Sequence, residues 1–271
     1  MLDPVAESSA APPPAESLEF GVSAGAAPAA PPQPRLTRGR ALIETVICSS
    51  YPTQLAAAAV LAAAGVPPLN ADGGLNAVFV FAVSTLDAMM VVALILYFLR
   101  RSHDSASAVF FGARSPWREA GLGIAIVPLV TLGIGALVLA ARTLVPGLHN
   151  VPVNPLSEFM ADAVMAVLFG VVVVLAGGVR EEMQRAFQLH RLSHHVCPPL
   201  VALALTSIAF GLGHTVQGRD VAFATFGLGV LWGAMYLRRG SLVAAAVSHS
   251  LFNLGQIAIG WWAAGQAAAL K

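Results

Sequence analysis

Six polar residues stand out because they lie in or against long apolar runs: Glu181, Glu182 and Arg185, then His214, then His249 and Asn253. A charged side chain at membrane depth costs roughly 2.5–3.5 kcal/mol on insertion scales unless it is paired or hydrated. A chain that keeps two carboxylates side by side there has a use for them. Glu181 and Arg185 are four residues apart and share a helix face, which predicts that they pair. Glu182 is rotated by about 100° and is expected to face elsewhere. His214 ends an apolar segment, with Phe210 one turn before it, and His249 and Asn253 align on one face of an otherwise apolar helix. Each feature alone has an ordinary explanation: a solvated helix end, an interfacial histidine, an interhelical hydrogen bond worth about 0.6 kcal/mol on average. Together they have the chemistry of hydrolysis. A carboxylate beside an imidazole takes a proton from water. An imidazole and an amide N–H stabilise an oxyanion in a dry pocket, where one such donor is worth roughly 2.7–4 kcal/mol. The chain has no GxSxG elbow and no HExxH. A Glu/His/His set also has the donors for zinc with an open position, so metal-bound and metal-free activation of water are both open.

The elements that must position these residues are transmembrane. The chain is 57% hydrophobic and 11% charged, with a mean hydropathy of +0.75, against about 25% charged residues in a soluble domain. So few charges cannot cover a water-facing surface. The fold class expected is all-α, a polytopic transmembrane bundle of about seven segments. These are read at about 41–66, 75–99, 119–141, a fourth from near 159 into the glutamate pair, 198–214, 221–237 and 241–263. The first is interrupted by Ser49-Ser50-Tyr51-Pro52, and the fifth and sixth are short. Residues 1–38 read as a disordered Ala/Pro-rich tail and 39–271 as the helical membrane domain. Cys48 and Cys197 are too far apart for a CxxC site and read as packing residues. The net charge of +1 says nothing about nucleic acid, and with no basic patch of interleaved aromatics no nucleic-acid partner is expected. The partners expected are the lipid bilayer and a membrane-associated peptide or protein. Arginines cluster in alternate loops, which places the N-terminus in the cytoplasm. The Arg-over-Lys, Ala-rich composition points to a bacterial inner membrane.

Depth allows Glu181, Glu182, His214, His249 and Asn253 to meet on three helices. If the fourth helix runs on to a turn near His195–Pro199, Glu181 lies ~21–24 Å above that turn, and His214 a similar distance up the returning helix. His249 lies ten residues above Arg239, ~15 Å from the same side. Glycines at 177, 178, 211, 213, 227, 229 and 233 let the helices approach closely.

Three motifs in order, a Glu-Glu pair followed by Arg, Phe-x-x-x-His and His-x-x-x-Asn, resemble the CPBP family of intramembrane proteases, which includes the type II CAAX prenyl endopeptidases. The likeness covers a core at about 159–263. The stretch Leu228-Gly229 … Tyr236-Leu237-Arg238-Arg239-Gly240-Ser241-Leu242 carries it between the second and third motifs. The resemblance implies peptide-bond hydrolysis inside the membrane. Glu181 and His214 would activate water, Glu182 and Arg185 would position them, and His249 and Asn253 would make the oxyanion site. One departure is visible. The family pattern is Glu-Glu-x-x-x-Arg, whereas Arg185 is three after Glu182. Keeping the arginine in register puts Arg180 at the catalytic position. Keeping the glutamates in register leaves a base there, and a local π-type bulge would reconcile the two. Two other readings stand beside the protease: a catalytically silent relative that binds a partner or confers immunity, and a proton-coupled transporter relaying through Asp87, Glu181 and His249.

Overall fold

The structure, a computed structural model, describes residues 36–269. The tail expected over 1–38 lies outside the described residues except for its last three positions, where the first helix begins. Helices α1 (Arg38–Ile47) and α2 (Tyr51–Ala63) form one interrupted span. The break falls on the Ser49-Ser50-Tyr51-Pro52 stretch: Ser50 is left-handed, φ 73°, and Pro52 occupies the first turn of α2, where its missing N–H costs nothing. Helix α3 (Ala77–Arg101) is capped by Asn76, whose side chain accepts from the amides of Val78 and Phe79. A short α4 (Ala106–Phe110) leads to α5 (Pro116–Leu144), which begins on a proline and carries Pro128 inside it. Interior proline is tolerated in membrane helices because neighbours satisfy the freed carbonyl.

The fourth span is α6 (Ala163–Val172), a π-helical stretch (Val173–Arg180) and α7 (Glu181–His195) in one continuous rod. Asp162 caps it by accepting from the Met165 amide at 2.9 Å. At 33 residues it is ~50 Å long, well beyond a ~30 Å hydrocarbon core, so Glu181 lies inside the rod rather than at its end. Helix α8 (Pro199–Leu212) follows a three-residue turn, then α9 (Arg219–Arg239) and α10 (Val243–Ala269).

Six helices are long and apolar enough to cross a membrane among the described residues, which makes this an integral membrane protein of all-helical architecture. The expected segment that falls short of a span is the fifth, α8. Its 14 residues span ~21 Å, too few to cross unaided. The sixth, expected to be short, is a full span because Arg219, Asp220, Arg238 and Arg239 are helical at its two ends. The main core joins Val91, Ile95 and Leu99 of α3 to Phe187, Leu189 and Leu192 of α7, Leu203 of α8 and Tyr236 of α9. A second cluster, Val130, Leu228, Trp232, Ala245 and Phe252, ties α5, α9 and α10. Cys48 is buried in the first and Cys197 packs against it, both as free thiols.

Candidate active site

The first turn of α7 places Glu181 and Glu182 on different faces, and their environments diverge. Glu182 is 1% exposed. It binds the Arg185 guanidinium one turn on and accepts from Nδ1 of His249 at 2.8 Å. The expected Glu181–Arg185 pair does not form. The spacing of three serves as well as four on an α-helix, and Arg185 turns inward, where Glu182 needs a counter-charge and the aromatic rings of α8 and α9 cover it. Its guanidinium lies 4.4 Å from the Phe210 ring centroid and 5.7 Å from that of Trp232, distances at which a desolvated cation is attracted to the ring face. Glu181 keeps 18% side-chain exposure, with His249 Nε2 at 3.8 Å and Arg180 at 3.9 Å.

His249 is held on three sides. A carboxylate can only accept, so Nδ1 carries the proton toward Glu182 and the Nε2 edge is turned toward Glu181. The ring stacks on Trp232, centroids 3.9 Å apart and 18° from parallel, while the Trp232 indole donates to Ser248 Oγ at 3.3 Å. Helix α10 reaches the glutamates because Gly178 has no side chain: a Cβ there would run into Ser250, the residue after His249.

His214 sits just beyond α8. Its Nδ1 donates to the Phe210 carbonyl at 2.8 Å, which leaves Nε2 as the free ring nitrogen. The Phe210 ring stands between the histidines, its centroid 4.9 Å from His214 and 6.1 Å from His249. Glu181, His214, Arg180, Arg185 and Gln184 line one cavity of about 200 Å³, completed by Ser50 and Tyr51 from the α1–α2 break. At ~30 Å³ each, that is room for about six waters. His249 and Asn253 are not in its wall. Asn253 lies over Gly177, its amide nitrogen 3.1 Å from where a Cβ there would be. Among the described residues no hydrogen bond joins it to the glutamates or His249.

The sequence reading missed or misjudged several neighbours. Trp232 was passed over, although it stands on α9 among glycines at 227, 229 and 233, the signal of a helix packed against the site. Asp87, read as a candidate relay, is fully buried and bound to Arg180 at 3.0 Å and to the hydroxyls of Ser50 and Thr53. The π-helical stretch exists, but upstream of Glu181 rather than between the glutamates and Arg185. It therefore sets how the glutamates face relative to α6 and leaves the Glu–Arg spacing unchanged.

Among the described residues no three His, Cys, Asp or Glu side chains converge as metal ligands. Glu182 and His249 bind each other, and the Arg185 guanidinium holds the place on Glu182 that a cation would take.

A carboxylate–imidazole cluster enclosed within a helical membrane protein and opening on a polar cavity is equipped for hydrolysis in the membrane. Residues 163–255 match the family of type II CAAX prenyl endopeptidase Rce1-like proteins. The matched segment is about a third of the chain, runs from α6 into α10 and contains all six candidate residues. It agrees with the resemblance to CPBP membrane proteases and supports protease activity in general. No curated protein and no solved structure matches the chain.

Proposed function

We propose that the protein is an intramembrane endopeptidase that hydrolyses a peptide bond of a membrane-associated peptide or protein with carboxylate-activated water and no metal. The observation that carries this reading is the unequal burial of the two glutamates. Glu182 is buried, its Oε1 held by Arg185 and His249, whereas Glu181 faces the cavity that His214 also lines. Glu181 takes the proton from a water in that cavity, and His214, with a free ring nitrogen, shares the proton's transfer to the leaving amine. Glu182 and Arg185 hold the imidazole of His249, whose Nε2 edge, when protonated, donates to the oxyanion. Asn253 belongs to the oxyanion site once a substrate draws its amide round from Gly177. The substrate reaches the site from the bilayer of the inner membrane, with the protein's N-terminus in the cytoplasm.

One observation favours a second reading. Arg180 stands one residue before the glutamate pair, at the catalytic position if Arg185 keeps the family register, as a catalytically silent binding relative would have it. The transport reading loses support, because Asp87 is closed off in an ion pair instead of facing the cavity.

The test is cleavage of internally quenched peptides by the purified protein in liposomes, with and without a metal chelator. Glu181→Ala and His214→Ala should each lower kcat by roughly 10²- to 10⁴-fold, and the chelator should change nothing. Full activity in both variants overturns the protease reading; a wild-type protein without turnover that still captures a partner supports the silent one.

A further inference from the structure

We propose that Asp87 is a positioning residue for the carboxylate pair, acting through Arg180. The inference rests on the hydrolytic reading and adds to it a contribution from α3, which lies outside the segment matched to the protease family.

Asp87 is fully buried in the middle of α3. Its oxygens accept from the hydroxyls of Ser50 and Thr53 and face Arg180 Nη2 at 3.0 Å. Arg180 is 6% exposed and is the last residue of the π-helical stretch, directly before Glu181. Its Nη1 donates to Gln184 Oε1 at 3.0 Å and lies 3.9 Å from Glu181. The guanidinium is therefore fixed between α3 on one side and the first turn of α7 on the other. The point at which it is anchored sets the direction in which Glu181 leaves the helix.

Stability gives no reason to keep such a pair. Two buried charges are at best equal to well-packed apolar residues of the same volume. The surroundings supply one: Arg180, Glu181, Gln184 and Ser50 all line the cavity that His214 also lines. Without Asp87, the nearest carboxylate to a buried guanidinium is Glu181. Arg180 then turns to it and draws it away from the water and from His249.

The experiment uses the full chain in liposomes and the double variant Asp87→Asn/Arg180→Gln, which removes both charges and keeps the shape. Three quantities are read: thermal stability, kcat and KM on the quenched peptide, and carbodiimide labelling of Glu181 by mass spectrometry. Removing both partners leaves no uncompensated charge, so stability should stay close to wild type. A misplaced base should lower kcat by roughly 10- to 100-fold with KM unchanged. Glu181, having lost its neighbouring guanidinium, should label several-fold faster, while buried Glu182 stays unlabelled. Labelling at the wild-type rate, or faster labelling with wild-type kcat, overturns the proposal. If the wild-type protein cleaves nothing, the hydrolytic reading fails and the labelling alone decides the positioning role. If the double variant does not fold, Arg180→Lys replaces it under the same readouts, since one ammonium cannot span Asp87 and Gln184 as the planar fork does.

Discussion

Glu181 and Glu182 are neighbours in the chain with different tasks. Oε1 of buried Glu182 is engaged by both a guanidinium and a ring N–H, whereas Glu181 retains an open edge on the cavity. Charge on Glu182 keeps Arg185 and His249 in place, and in the proposed reaction it is charge on Glu181 that is used. Glu182→Gln should therefore impair the site through geometry. The amide cannot balance Arg185, the guanidinium is left buried without a counter-ion, and the protein should lose about 3–5 kcal/mol in thermal unfolding along with its activity. Glu181→Gln should fold like wild type and lose kcat alone. Circular dichroism melts beside peptide kinetics separate the two.

At the scale of elements, the site is made by two irregularities. Helix α8 is too short to cross the membrane, so it ends with His214 at the level of the glutamates. The fourth span changes to π-helical winding over the eight residues before Glu181, which re-aims the glutamates relative to α6. Such stretches are rare and occur frequently at functional sites. Gly178 within this stretch lets α10 come close enough for His249 to reach Glu182. Gly178→Ala should push α10 back through the Ser250 contact, cost about 1–3 kcal/mol by overpacking and lower kcat. Adding Ser250→Gly should recover part of both, as read from thermal unfolding and peptide cleavage.

At the scale of the whole molecule, the part of the chain before the family match is joined to the site by buried ions. Besides Asp87–Arg180, Arg191 at the far end of α7 binds Glu44 of α1 at 2.9 Å, Asp104 in the loop after α3, and Ser102. Arg191 is 0% and Glu44 1% exposed. Arg191→Met should cost at most about 3–5 kcal/mol, because buried Glu44 keeps only the more exposed Arg40 as its counter-ion, and Arg191→Met/Glu44→Leu should recover most of it. Asp104 gives this network a pH dependence. Burial opposes its ionisation, but the hydrogen bonds from Arg191 and Ser102 outweigh that and hold its carboxyl below the ordinary carboxylate range. Its stabilisation is present above the unfolded value, about pH 4, and disappears as the pH falls through the lower folded value. Melts of wild type and Asp104→Asn should converge under acid and separate above about pH 4.

From the chain alone came everything that depends on local composition. Apolar run length and the scarcity of charge determine a helical membrane protein. The break at Ser49–Pro52 and the shortness of the fifth segment are visible in residue type. Helical spacing and depth are enough to bring Glu181, Glu182, His214 and His249 near one another. The pairings among them were decided by tertiary structure. Glu181 and Glu182 are equally good partners for Arg185 by spacing, and the choice between them depends on which face α8, α9 and α10 bury. The partner of Arg180 is 93 residues earlier in the chain, and no local pattern encodes a contact across that distance. Whether His249 stacks on Trp232 or Asn253 turns to Gly177 depends on how closely two helices pack, which the glycines allow and only the assembled bundle carries out.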